Sequence, residues 1–185
     1  MNEFLQLLHN RNSAPRLTAP APSEAEMQDA FLAAARAPDH AWLRPWRFIT
    51  IDGDRRTDFG DVLAANLLLR NPQAESSAVE RARKAPLRAP LLLVVVAKLS
   101  EHPKVPHSEQ RLSSGCAAQA ILLACEAMGY AGIWRTGASA FDRKVMAALG
   151  LEAAEEITGF LYLGTREGPS KKVPRFDQDR YVSSW

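Results

Sequence analysis

The strongest constraint on this fold is a long apolar segment between Ser108 and Tyr130. At about 3.6 residues per turn it is long enough for a helix of roughly six turns. Its apolar residues lie on every side of the helix axis, so such a helix has to be buried all round. A chain of 185 residues has little interior in which to bury it. A second subunit that covers one face solves this problem, so the sequence favours a dimer.

The remaining segments mix helices with strands. Runs rich in apolar and β-branched residues predict strands over 46–52, 91–97, 133–136 and 157–163. Helical periodicity and capping residues predict helices over 1–10, 24–36, 54–69, 74–85, 108–130 and 142–149. Residues 91–97 are apolar on both faces, as in the centre of a covered sheet. Strict alternation of strand and helix is missing and nothing marks a domain boundary, so we expect one α+β domain.

Composition excludes several functional classes. The longest apolar run, residues 91–97, is far shorter than the roughly 20 residues of a membrane span, and the first residues lack a signal-peptide pattern. A net charge of +2 is too small to indicate a nucleic-acid partner. Cys116 and Cys125 would point to opposite sides of one helix, which favours free thiols in a reducing compartment. We therefore expect a cytoplasmic protein with neither a nucleic-acid nor a membrane partner.

Familiar catalytic motifs are missing from the sequence. The glycines never form G-x-G, the P-loop lysine is absent, and there is no G-x-S-x-G nucleophile turn. His102 and His107 are separated by two prolines, and no cysteine or carboxylate completes a metal-binding set around them. The residues predict neither a metal site nor a side-chain nucleophile.

Two polar segments in the first quarter of the chain are candidates for ligand binding. Arg11, Asn12 and Ser13, followed by Arg16, have the charges and the hydroxyl that suit a phosphate monoester. The alternative is that the positive charges of these arginines only balance the negative dipole end at a helix C-terminus. The second segment, from Arg36 to His40, ends a helix at a proline and offers an imidazole, although a surface histidine explains it equally well.

The third candidate is the strand between Gly132 and Gly137, which carries Trp134, Arg135 and Thr136. Glycines on both sides let a planar ligand approach the backbone closely. The simpler alternative is a turn at each end of the strand.

In order and spacing, these segments resemble the nitroreductase family of flavoproteins, and most closely its short YdjA-like branch. The similarity rests on Arg-x-Ser near the start, Arg-Ala-Pro-Asp-His followed by Pro-Trp, Ser-Gly-Cys-Ala at the start of the apolar helix, Gly-Ile-Trp-Arg-Thr-Gly and Gly-Phe-Leu-Tyr-Leu-Gly-Thr. It implies a single FMN-dependent domain over residues 1–185. The implied fold is an α/β sandwich whose central, mostly antiparallel sheet is flanked by helices. The resemblance also implies an intertwined homodimer with FMN at the subunit interface.

The resemblance also assigns roles to individual residues. It implies that Arg11, Asn12 and Ser13 hold the flavin phosphate and ribityl chain, and that Trp134, Arg135 and Thr136 line the isoalloxazine ring. Arg36 and His40 would reach the flavin from the partner subunit. The turn that would bind the nicotinamide nucleotide consists of Ala124, Cys125, Glu126, Ala127, Met128 and Gly129.

The implied activity is an FMN-dependent oxidoreductase that uses NAD(P)H to reduce nitroaromatic, quinone or related acceptors by a ping-pong two-electron mechanism. The alternatives are a flavin-binding or sequestering dimer with little turnover and a purely structural dimer. Asn12 stands where the family pattern has an arginine, and neutral hydrogen bonds are weaker than charge-assisted ones. We therefore expect a looser grip on the phosphate unless Arg16 or Lys172 compensates.

Overall fold

A five-stranded antiparallel sheet organises the fold. The computed structural model describes residues 2–185. The strands are β1 (Leu17–Thr18), β2 (Trp46–Ile51), β3 (Leu91–Lys98), β4 (Ala131–Arg135) and β5 (Glu155–Arg166). Their order is β1-β5-β3-β2, and β4 also pairs with β5. The long strand β5 therefore joins three others, and the predicted antiparallel sheet is confirmed.

Six α-helices flank this sheet. They are α1 (Glu3–Asn10), α2 (Glu24–Ala34), α3 (Arg55–Arg70), α4 (Ser76–Arg83), α5 (His107–Ala127) and α6 (Arg143–Ala148). The start of α2 shows how locally these helices are specified: Ser23 accepts a hydrogen bond from the Glu26 backbone N–H, and the Glu26 carboxylate accepts one from the Ser23 backbone. This reciprocal pair satisfies two donors that the first turn would otherwise leave free.

The centre of the core is β3, whose side chains from Leu91 to Ala97 are all buried. Leu92, Val94 and Val96 face a cluster that includes residues of α3 and α6. The alternate residues on the other face of β3 pack with residues of α2 and α5. The prediction of a central strand covered on both faces is confirmed, because only a strand with helices on each side can be apolar at every position.

Element boundaries differ from the sequence prediction where pairing or turn geometry decides them. The strand β5 extends from 155 to 166 instead of 157–163, because residues 155 and 156 pair with β3 and residues 164–166 pair with β4 and β1. The strand β4 begins at 131 instead of 133. A glycine within it is required, since a Cβ atom at Gly132 would collide with Leu122 and Leu163. The strand β1 lies outside every segment for which a strand was predicted.

Helix α5 is buried on one side only within this chain. Its core-facing residues include Ala117, Ile121 and Leu122. On the opposite side Cys116 is exposed, and Leu112 exposes 70% of its surface. Complete burial of this helix is therefore not achieved by one chain. No helix within residues 2–185 is long and apolar enough to cross a membrane.

Candidate cofactor site

The loop that follows α1 lies directly against β4. The Arg11 backbone N–H donates to the Leu7 carbonyl and closes the helix. Three residues later the Ala14 N–H donates to the Gly132 carbonyl at 3.1 Å, which fastens the loop to the strand. The intervening side chains of Arg11, Asn12 and Ser13 are half-buried. Two of the three predicted segments are thus neighbours in space.

Asn12 is held by an arginine from the far end of the sequence. Arg166, the last residue of β5, donates to the Asn12 side-chain oxygen at 3.2 Å and to its backbone carbonyl at 3.0 Å. A second guanidinium contact reaches Glu126 in the last turn of α5, with a nitrogen–oxygen distance of 3.6 Å. The structure therefore places Arg11, Asn12, Arg166 and Glu126 in one cluster, which we call the Arg166 cluster.

Glu126 is the one acid of this cluster, and its surroundings shift the pKa of its carboxyl in two opposite directions. Partial burial raises the pKa of its carboxyl above the ordinary value, because the charged form loses water. The positive charges of Arg166 and Arg11 oppose this shift of the pKa. Arg11 is therefore near enough to act on the carboxylate, and the cluster contains two cations and one anion.

Farther along β4, the side chains of Trp134 and Arg135 lie beside β5 on opposite faces of the sheet. The indole of Trp134 lies over Gly159, where any Cβ atom would collide with it. The Arg135 guanidinium lies 5.9 Å from the centre of the Tyr162 ring, within the range of a cation–π contact. The exposed Thr136 follows the strand, and Gly137 then turns the chain with a φ of 78°.

The donors along β4 fit a flavin mononucleotide. Within residues 2–185, the Arg135 Nε–H is buried and has no hydrogen-bond partner, which is costly unless a ligand supplies an acceptor. A flavin ring carries carbonyl and ring-nitrogen acceptors, and its side chain ends in a phosphate. The buried donor at Arg135 and the cationic loop at Arg11 match these two ends of one molecule.

Arg36 and His40 lie in a different environment. The His40 ring nitrogen Nδ1 is 2.9 Å from a Glu109 carboxylate oxygen in the first turn of α5, and both side chains are about half exposed. The Arg36 guanidinium lies 6.0 Å from the centre of the exposed Trp42 ring. Arg36 and Trp42 border a cavity of about 210 Å³ that also includes Asp39.

The turn that carries His40 is strained. Ala41, Trp42 and Arg44 have φ angles of 63°, 55° and 48°, in the left-handed region that side chains with a Cβ atom rarely adopt. The Asp39 carboxylate accepts a hydrogen bond from the Arg44 backbone N–H at 2.7 Å and holds the turn closed. Strain of this kind persists only where the surrounding structure enforces it.

The two groups of candidates are at opposite ends of α5. Glu109, which contacts His40, and Glu126 of the Arg166 cluster are 17 helical residues apart, or roughly 25 Å at 1.5 Å per residue. One chain therefore does not bring His40 and Arg11 together.

The segment predicted to bind the nicotinamide nucleotide is the last turn of α5 and its cap. Ala127 ends the helix, and the Tyr130 N–H donates to the Cys125 carbonyl around Gly129, which has a φ of 88°. Cys125 is fully buried, and burial raises the pKa of its thiol to about 12, so it remains protonated and inert. Ala124, Glu126 and Met128 are half-buried, and Ala127 and Gly129 are exposed.

Arg166 and Trp42 contact predicted site residues but were not themselves predicted from the sequence. Compensation for the charge that Asn12 lacks was expected from Arg16 or Lys172, but the structure places Arg166 beside Asn12. Arg16 lies 3.9 Å from Glu167 with most of its side chain exposed, and Lys172 is exposed in the tail. The available signal was an arginine three residues after the end of the predicted strand at 157–163.

A model of the nitroreductase family matches residues 8–165, which is most of the chain. This chain belongs to the nitroreductase family. It is 45% identical over 163 residues to the Escherichia coli K12 protein named "Putative NAD(P)H nitroreductase YdjA", with 88% of each chain covered. A "Putative NAD(P)H nitroreductase" of Haemophilus influenzae is 33% identical over 164 residues, again with 88% of each covered. The prediction of a nitroreductase-family oxidoreductase is confirmed.

Solved structures show the same nitroreductase fold. A nitroreductase-like family protein from Bacillus cereus superposes with a TM-score of 0.84 at 18% identity, covering 100% of this chain and 97% of that one. The FMN-dependent nitroreductase NfnB from Mycobacterium smegmatis, solved with NADPH, gives a TM-score of 0.77 at 16% identity, with 99% and 98% covered. The predicted fold class is confirmed by these likenesses.

Proposed function

We propose that this nitroreductase-family chain is an FMN-dependent oxidoreductase that uses NAD(P)H to reduce nitroaromatic, quinone or related acceptors. The reaction is a ping-pong exchange of two electrons, in which the oxidised donor NAD(P)+ leaves before the acceptor binds. One observation carries the proposal: the cationic loop at Arg11 and the buried, unpartnered donor of Arg135 lie along the same strand, β4. The relatives named as NAD(P)H nitroreductases and the FMN-dependent NfnB support it.

The chain's own residues would hold the two ends of the cofactor. Arg11 and Ser13 donate to the phosphate, while Asn12 is occupied by Arg166 and gives the loop its shape. Trp134 and Thr136 border the ring, and the Arg135 guanidinium stabilises negative charge that develops there. FMN supplies the hydride-transfer chemistry when it is bound, which is why no side-chain nucleophile is needed.

We also propose that the working unit is a homodimer. The exposed apolar side of α5, with Leu112, is a surface that a second copy would cover. In a two-fold dimer the same helix appears twice, so Arg36 and His40 of one chain reach the site built around Arg11 of the other. The separation of roughly 25 Å along α5 supports this arrangement, because no single chain can supply both groups.

The donor's nucleotide would bind at the end of α5, residues 124–129, beside the Arg166 cluster. Since Cys125 is buried, that contact involves its backbone and the side chains of its neighbours. The two free thiols support a cytoplasmic location, where such thiols stay reduced.

Anaerobic stopped-flow spectroscopy tests the proposed function. Purified protein loaded with FMN should show flavin absorbance, lose it on mixing with NADH or NADPH at a rate that saturates with donor concentration, and regain it with a quinone or nitroaromatic. Slow reduction that does not saturate would instead support a flavin-binding dimer with little turnover. A colourless protein after FMN loading, with no NAD(P)H oxidation, would contradict the proposal.

A further inference from the structure

We propose that Glu126 is a built-in counter-charge of the FMN phosphate site, offsetting one of the two positive charges of the Arg166 cluster in the free protein and taking up a proton when the phosphate dianion binds. This inference rests on the proposed function, since it requires the phosphate to bind beside Arg11. It gives Glu126 a role in cofactor affinity in addition to the proposed contact of residues 124–129 with the donor nucleotide.

Arg166 contacts Asn12 and Glu126 in two different ways. Its two hydrogen bonds go to Asn12, at 3.2 Å and 3.0 Å, whereas its distance to the Glu126 carboxylate is 3.6 Å, longer than an ordinary hydrogen bond. Arg166 is therefore oriented by Asn12, and Glu126 is not needed to fix it. What Glu126 contributes is a negative charge in a place where its side chain is only 23% exposed.

Within one chain, the charges of this cluster balance against a bound phosphate when Glu126 changes its state. Arg11 and Arg166 carry two positive charges, and Glu126 carries one negative charge. A phosphate monoester adds about −1.5 to −2 at neutral pH, which leaves the half-buried cluster with a negative excess. Adding one solvent proton to a Glu126 carboxylate oxygen removes most of this excess, and no other bond forms or breaks.

The surroundings of Glu126 contain few other titratable groups. Arg166 faces it from β5 and Arg11 faces it from the loop after α1. On its own helix, the neighbouring Cys125 thiol stays protonated because its pKa is raised to about 12. Glu26 acts on Cys125 from α2, but its carboxylate is held by Ser23 and the Tyr130 hydroxyl. Glu126 is therefore the group best placed to accept the proton.

The direction of titration agrees with this geometry. Burial already raises the pKa of Glu126, and the two arginines hold the shift back. A phosphate that engages those arginines adds a negative charge and weakens their effect, so the pKa of Glu126 rises further. Protons are taken up at any pH between the values of the free and the bound protein.

The test is calorimetric titration of the flavin-free full chain with FMN at pH 7.5, in buffers of different ionisation enthalpy. Because the second phosphate pKa is about 6, FMN itself has almost no proton to release at this pH. We expect net proton uptake for the wild type and none for Glu126→Gln. Since a buried like charge is removed, Glu126→Gln should bind FMN about tenfold more tightly.

Two controls isolate the charge at this position. Riboflavin, which lacks the phosphate, should bind the wild type and Glu126→Gln equally. Glu152→Gln removes the same charge before the opposite end of β5, roughly 35 Å away at 3.3 Å per residue, and should leave both proton uptake and FMN affinity unchanged.

Equal proton uptake and equal FMN affinity in the wild type and Glu126→Gln would overturn the inference while leaving the proposed function intact. If Glu126→Gln does not fold, the wild type alone still tests the inference. FMN binding by the wild type without net proton uptake at pH 7.5 would overturn it. Failure of the wild type to bind FMN at all would instead contradict the proposed function.

Discussion

The two ends of α5 are built in opposite ways. At the C-terminal end, the Arg166 cluster is half-buried and fastened by backbone and side-chain hydrogen bonds to β4 and β5. At the N-terminal end, His40 is exposed and lies on a strained turn, and its ring forms a hydrogen bond with the Glu109 carboxylate. A rigid half and an open half on one helix suit the proposed site shared between two chains, in which a partner would supply the remaining contacts of the open half.

The largest effect we expect is a loss of stability from crowding Trp134, which lies between the two ends of α5. Gly159→Ala would put a Cβ atom into the indole and should lower the free energy of unfolding by about 3 kcal/mol, as overpacking of a core does. In Gly115→Ala the new Cβ atom lies 3.7 Å from the same indole, an ordinary contact distance. This substitution should raise the free energy of unfolding by roughly 0.5–1 kcal/mol, since alanine favours the helix. Urea denaturation measures both, and equal destabilisation would show that Trp134 is not confined as described.

The next effect tests the rigid half. Arg166→Met removes two hydrogen bonds to Asn12 and leaves the Glu126 charge without its partner. We expect FMN affinity to fall by about 2 kcal/mol, or roughly thirtyfold, because charge-assisted hydrogen bonds are lost. Quenching of FMN fluorescence measures it. Arg16→Met removes an exposed arginine and should change affinity less than twofold; a similar loss there would mean that overall charge decides.

The smallest effect tests the open half. Ala41→Gly relieves a left-handed backbone conformation and should raise the free energy of unfolding by about 1 kcal/mol. Ala25→Gly, at an exposed position inside α2, should lower it by about 1 kcal/mol, because glycine weakens a helix. Thermal unfolding distinguishes them. A loss at both positions would show that the turn at Ala41 is not strained.

The sequence predicted those parts of the molecule that depend on local pattern. The covered strand β3 and the capping box at Ser23 follow from neighbouring residues, and both are confirmed. The contact between Arg166 and Asn12 joins residues 154 positions apart, so no local pattern could indicate it. The start of β4 was hidden because Gly132 resembles a strand breaker until the crowding by Leu122 is known.

In the proposed homodimer, each site combines Arg11 of one chain with His40 of the other. Differently tagged Arg11→Met and His40→Ala chains, coexpressed and purified as the mixed dimer, test it by FMN titration. Both altered residues then fall in one site and the other site is intact, so we predict one FMN per dimer bound with wild-type affinity, while each variant homodimer binds weakly. A mixed dimer with no site of wild-type affinity would contradict the claim.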